Sequence, residues 1–197
     1  LILSVGTKYN NAQNWWQFTC IETVPTGPPP VTLPPPGQLP TQPQSKAQEL
    51  INAIGLTSFS ISADCGGSFH ARQNIQDIAS NKLPAVCSPF CSCVVGGSSG
   101  NTTVSSDLLD GLTQLSKRGI RFTVTSLTTG RHSNSSSHYS GHGVDIVLDN
   151  NNPVVWIEAR TFLVSLGGAA VCENRSGGAV ASCSPIPSSV DHIHWTR

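Results

Sequence analysis

Ala47, Leu50, Ile51 and Ile54 recur at the three- and four-residue spacing of one helix face. Ser45 stands where an N-cap belongs and Gly55 where a helix stops, so the spacing predicts a short helix after Ser45. Residues 69–82 repeat the pattern, with Ile75 and Ile78 on one side and Pro84 beyond the end. Ser106 is placed to cap a third helix with Leu108, Leu109, Leu112 and Leu115 inward, closed by Gly119. The period then changes. Ile120, Phe122 and Val124 alternate with polar residues, predicting a strand over 120–127, and 144–148 reads as a second. Asn152-Pro153 opens a helix carrying Trp156, Phe162, Leu163 and Leu166, which ends at Gly167-Gly168. Residues 169–172 and 190–195 are the last strands, while the Cys- and Gly-rich run to Gly100 and the Ser/Gly/Asn-rich run 128–143 read as loops. Helices first and strands later indicate an α+β domain, and there is no internal repeat.

This domain is expected over 45–197, with a Cys-rich helical part at 45–100 and a motif-bearing part at 101–197. Residues 25–44 carry nine prolines, which fix φ and remove amide donors. Helix and sheet are excluded there, and an extended polyproline II spacer is expected, with a PxxP-type ligand as the rival reading. Residues 1–24 form a short head in which Trp15, Trp16 and Phe18 need cover. Local core packing is the plainer use of these rings, and contact with a partner chain the sharper one.

Charge changes this picture by exclusion. Only 11% of residues are charged, 11 basic against 11 acidic, which argues against nucleic acid as a partner. Seven cysteines indicate a disulfide-bonded protein outside the cytoplasm, secreted or associated with the cell envelope. Cys172 and Cys183 are expected to pair across a Gly/Ser-rich loop, and Cys20 is the candidate for the odd thiol. A zinc knuckle at Cys87, Cys91 and Cys93 is the rival, with poor spacing for that role. The apolar start at residues 1–5 leaves room for an upstream membrane anchor, although no complete signal peptide or span is present.

The candidate chemistry lies near the C-terminus, where five of the six histidines fall within the last 66 residues. His138, Asp145 and His194 supply two imidazoles and a carboxylate, a set that suits one zinc ion with its fourth position open. Asp191, three residues before His194, is placed to act as a base, or alternatively to cap a turn. Arg131, in the loop before His138, is a candidate for holding an oxyanion or a substrate carboxylate, or else a solvated loop charge, and Arg121 is a lesser rival. Ser136 is expected to bond the loop backbone or the metal shell, and Gly141 and Gly143 to let the loop turn tightly. His192 and His194 share a face of an ideal strand, so an assignment with His192 as the base also stands. His142 has no specific role.

Residues 136–145 fit the pattern S-x-H-x-x-G-x-[AG]-x-D, and Asp191-His192-Ile193-His194 fits D/E-x-x-H. In this the chain resembles the zinc D-alanyl-D-alanine peptidases of the LAS type, which comprise carboxypeptidases, dipeptidases and murein endopeptidases. The resemblance spans roughly residues 105–197 and is strong at the motifs. It implies the Hedgehog/DD-peptidase fold, an antiparallel sheet flanked by helices. It implies zinc on His138, Asp145 and His194, Asp191 as general base, Arg131 on the substrate or developing oxyanion, and peptidoglycan stem or cross-link peptides as substrate. Gly143 stands where alanine is common. His192-x-His194 is also a feature of lysostaphin-type endopeptidases, whose companion H-x-x-x-D motif is missing. Beside the metallopeptidase stands a second expectation, a non-catalytic surface or assembly module that keeps the fold.

Overall fold

The computed structural model describes residues 4–10, 15–21, 42–61, 70–87, 100–130, 132–180, 183 and 190–197, the first two segments and Cys87 by their backbone. The chain divides into two units, Leu1–Leu39 and Pro40–Arg197. In the first, β1 (Ser4–Asn10) and β2 (Trp15–Ile21) pair antiparallel, from Ser4 opposite Ile21 to Asn10 opposite Trp15. Both strands are rich in the β-branched and aromatic residues that suit a pleated ribbon. The packing of the head's aromatic side chains, the thiols of Cys20, Cys65, Cys87, Cys91 and Cys93, and the linker up to residue 41 lie outside the described residues.

The second unit begins earlier than its sequence pattern indicates. Its first helix, α1 (Gln42–Ile54), starts within the stretch read as helix-free. Pro43 sits in the first turn, where a missing N–H breaks no intrahelical bond. Ser45 therefore lies inside α1 rather than capping it. α1 stops at Gly55, whose φ of 76° only glycine adopts freely. α2 (Ala71–Ala79) is shorter than 69–82, and His70 caps it by accepting the Gln73 N–H at 3.1 Å. α3 (Ser106–Lys117) is capped by Ser105, not Ser106. Its Leu108, Leu109, Leu112 and Leu115 are all fully buried.

Two small strands, β3 (Ala85–Cys87) and β4 (Gly100–Asn101), pair with each other. The main sheet holds β5 (Phe122–Ser126), β6 (Gly143–Leu148), β7 (Ala169–Glu173) and β8 (His192–Thr196) in the order β5-β6-β8-β7, antiparallel throughout. Between β6 and β7 runs α4 (Pro153–Ser165), capped by the Asn152 side chain. The α+β class and the antiparallel sheet with its helices are thus as expected.

One face of the sheet presents Phe122, Val124, Val144, Ile146, Ala170, Cys172, Ile193 and Trp195, which join the inward residues of all four helices in a single core. At Gly111 of α3 a Cβ would collide with the Trp195 ring. Alternation sends the intervening residues to the opposite, polar face. A bulge adjusts β5: Val124 faces Ile146 but Ser126 faces Asp145, leaving Thr125 as the extra residue. This shift moves Ser126 off the core face and onto the polar one. The expected Cys172–Cys183 disulfide is present, with Cα atoms 5.4 Å apart. No helix among the described residues is long and apolar enough to cross a membrane.

Candidate metal centre

Asp145 on β6 and His194 on β8 are direct cross-strand partners. Because side chains alternate, burying Ile146, Ile193 and Trp195 in the core places Asp145, His192 and His194 together on the polar face. His138 arrives from the loop above, in a 3-10 turn at Ser137–Ser140. The Ser136 hydroxyl accepts the His138 N–H at 3.3 Å, so this serine acts on the backbone. Gly141 ends the turn with φ 74°. At Gly143 a Cβ would stand 2.8 Å from the His138 backbone nitrogen and would also collide with Ser137 Oγ. The turn packs so closely on β6 that glycine, rather than the alanine common in the resemblance, suits this position.

Three atoms converge here. His138 Nε2 is 3.1 Å from Asp145 Oδ1, His194 Nδ1 is 2.7 Å from the same oxygen, and the two nitrogens are 3.2 Å apart. Tetrahedral zinc with bonds near 2.0–2.1 Å sets its ligand atoms about 3.3 Å apart, so the spacing fits. The surrounding bonds fit as well. His138 Nδ1–H donates to the Leu127 carbonyl, which aims Nε2 at Asp145. Ser137 Oγ lies 3.3 Å from the outer nitrogen of His194. Imidazoles whose outer nitrogens are held in this way are oriented for a metal. Two ring nitrogens and a carboxylate oxygen at these distances repel one another unless a cation or protons lie among them.

His138 is fully buried and Asp145 is 8% exposed. Burial by itself pushes the Asp145 carboxyl up. The adjacent His138 and the hydrogen bonds from His138 and His194 outweigh it and hold the carboxyl well below the usual carboxylate range. Burial pulls the His194 imidazole down, and Asp145 more than reverses this, so its net shift is upward.

A fourth imidazole, absent from the sequence-based site, completes the cluster. His132 stacks on His138 with ring centroids 3.8 Å apart, and its Nε2 lies 3.0 Å from Ser126 Oγ. His132, His138 and Asp145 offer ligand atoms within 4.8 Å of one another, enough to hold a metal ion. The tighter convergence is that of His138, Asp145 and His194. No periodicity marks His132, which sits in a polar loop and meets Ser126, the residue that the β5 bulge turns to the polar face.

The other candidates are dispersed. Asp191 precedes β8 with its side chain 54% exposed, and its carboxylate lies 3.4 Å from His192 Nδ1. His192 shares the face of His194 as expected. Its Nε2 is 3.3 Å from Glu173 Oε2, a residue without a sequence signal, and 3.8 Å from Asp145 Oδ1. Arg131 lies outside the described residues. Arg121 is exposed at the far end of β5, where its carbonyl accepts the Asp149 N–H, and takes no part in the cluster. His142 is exposed and bonds the Arg197 carbonyl at 2.7 Å. Comparison with known proteins finds no matching family model, no matching curated protein and no matching solved structure.

The half-buried His132 carries a pH signature. Burial, reinforced by His138, lowers its imidazole from 6.5 to about 4. Above pH 6.5 neither the folded nor the unfolded chain holds this proton. Between 6.5 and about 4 the unfolded chain binds it and the folded chain does not, so stability falls with pH by up to about 1.4 kcal/mol per unit. His132→Gln is expected to remove that part of the slope, read from urea midpoints of chelator-treated protein at pH 7, 6 and 5. An unchanged slope would show that His132 protonates freely in the fold.

Proposed function

We propose that the chain is a zinc peptidase of the Hedgehog/DD-peptidase kind, acting outside the cytoplasm on peptidoglycan stem or cross-link peptides. The observation that carries this reading is the meeting of His138, Asp145 and His194 within 2.7–3.2 Å, in the order and spacing of the LAS-type motifs. The Cys172–Cys183 bridge supports the extracytoplasmic placement. Zinc bound by two imidazoles and a carboxylate supplies a water acidified towards neutral pH and a polarised substrate carbonyl.

The chain's own residues do the rest. Leu127 and Ser137 hold the two imidazoles so that His138 presents Nε2 and His194 presents Nδ1. Asp145 supplies Oδ1 and the negative charge. Asp191 takes the proton of the attacking water on its carboxylate and returns it to the leaving amine. Its exposure at the rim, against His192, leaves it open to a substrate, and such catalytic contacts tighten on binding. Arg131 takes the substrate carboxylate or the oxyanion, and Ser136 keeps the His138 turn in place.

The test is metal content and cleavage of a muropeptide panel measured together, with a chelator control. One zinc per chain and chelator-sensitive cleavage are expected, and the products name the bond. Zinc without cleavage would assign the chain to the non-catalytic surface or assembly class instead. No metal uptake after reconstitution would overturn the site. Asp191→Ala is expected to lower kcat by at least about 100-fold with zinc content unchanged. Full activity in that variant would remove Asp191 from the mechanism.

A further inference from the structure

We propose that Glu173 is a positioning residue of the metal centre: it holds His192 at Nε2 and so keeps this imidazole off the ligand carboxylate of Asp145. Glu173 lies directly opposite His192 in the β7–β8 register, on the same polar face. The His192 ring stands among three carboxylates. Its Nδ1 is 3.4 Å from Asp191 Oδ2, and its Nε2 is 3.3 Å from Glu173 Oε2 and 3.8 Å from Asp145 Oδ1. The contest that matters is at Nε2. A proton donated from Nε2 to Asp145 occupies an oxygen on which His138 and His194 already converge, and so competes with the metal. Donated to Glu173, it leaves that oxygen free. The half-ångström difference favours Glu173, because the attraction between an imidazole N–H and a carboxylate weakens with distance.

Glu173 is built to stay there. Its side chain is only 19% exposed, against 54% for Asp191. Its carbonyl accepts the Asp191 N–H at 2.7 Å, and an antiparallel bridge to Ala179 holds its other side. Cys172, the preceding residue, is tied to Cys183. The disulfide thus anchors the edge strand at the point where a carboxylate has to keep its place. Only the metal ligand set, not the peptidase activity, is borrowed from the proposed function.

The test reads His192 and the metal separately. In metal-free protein, proton NMR is expected to show a His192 Nε2–H coupled to the ring, sharp in wild type and in Asp191→Asn but lost or shifted in Glu173→Ala. Glu173→Ala is expected to weaken zinc binding about 10-fold in a chelator competition, as loss of an outer partner of a metal site does. Glu173→Gln, whose amide oxygen still accepts the proton, should stay within about threefold of wild type. The double variant Glu173→Ala/His192→Ala is expected to recover zinc affinity, because the competing imidazole is gone; a residue that merely supported the fold would show no such rescue. A His192 Nε2–H signal unaffected by Glu173→Ala, or a double variant that binds zinc as weakly as the single one, would overturn the proposal. Failure of wild type to bind zinc would count against the metal centre itself, and the NMR comparison would still decide the role of Glu173.

Discussion

Asp145→Asn is expected to lower zinc affinity by at least about 100-fold, more than the loss of any outer partner of the site. The reason is that one oxygen organises the cluster. Both His138 and His194 approach Asp145 Oδ1, and it is the only anion among the three. The amide keeps the shape and loses the charge, so two imidazoles face a centre with nothing to offset a dication. The metal-free protein should also suffer. The Asp145 carboxyl titrates below its ordinary 3.8 in the fold, so it adds stability that is full above pH 3.8 and is lost as pH falls through the lowered value. At pH 7 the asparagine variant forgoes that contribution, and its urea midpoint should fall even with chelator present. Competition with a metallochromic chelator gives the affinity. Zinc binding as tight as wild type would place the ion elsewhere.

Gly141→Ala is expected to cost about 3–5 kcal/mol and to weaken the metal site with it. Gly141 has φ 74°, and a Cβ there would collide with the Thr103 carbonyl and stand 3.0 Å from Val104 Cα. Backbone on that side has little room to give, because the Gly141 carbonyl accepts the Ser105 N–H at 2.9 Å just where α3 begins. The relief is movement of the 3-10 turn, and His138 moves with it. Gly119→Ala is the control. It has a similar φ of 81° with nothing within 4 Å of the added Cβ, so only the left-handed strain of about 1 kcal/mol applies. Equal losses of stability in the two variants would show that the clash with Thr103 does not matter.

What the sequence makes legible follows from where physics is local. The four leucines of α3 share a face at helical spacing, and Gly55 and Gly119 end helices where a left-handed residue is required. Alternation along one strand is enough to put His192 and His194 on the same face, and the Cys172–Cys183 loop is short enough to read as a pair. Other features depend on partners far along the chain. Glu173 is an ordinary acid until β7 pairs with β8 in a register that sets it opposite His192. His132 meets the site through Ser126 and the His138 ring, and the β5 bulge that places Ser126 there leaves no mark on the hydrophobic pattern. The start of α1 is hidden by Pro43, which a first turn tolerates although it looks like a break. The resemblance to LAS-type peptidases names the metal trio, but the bonds that aim it, from Leu127 and Ser137, belong to the fold of this chain.

The placement of the trio along the chain has a topological consequence. His138 and Asp145 are seven residues apart, whereas Asp145 and His194 are separated by 49. An ion gripping all three ties the chain into a ring of that size, and a tie of this span removes about 4 kcal/mol of freedom from the unfolded chain by the rule for closed loops. The disulfide closes a smaller ring, with a separation of 11, wholly inside it. Loading would therefore enclose the covalent ring within a larger one. The inner one is locked covalently, and the outer one is fastened by a clasp that a chelator can undo.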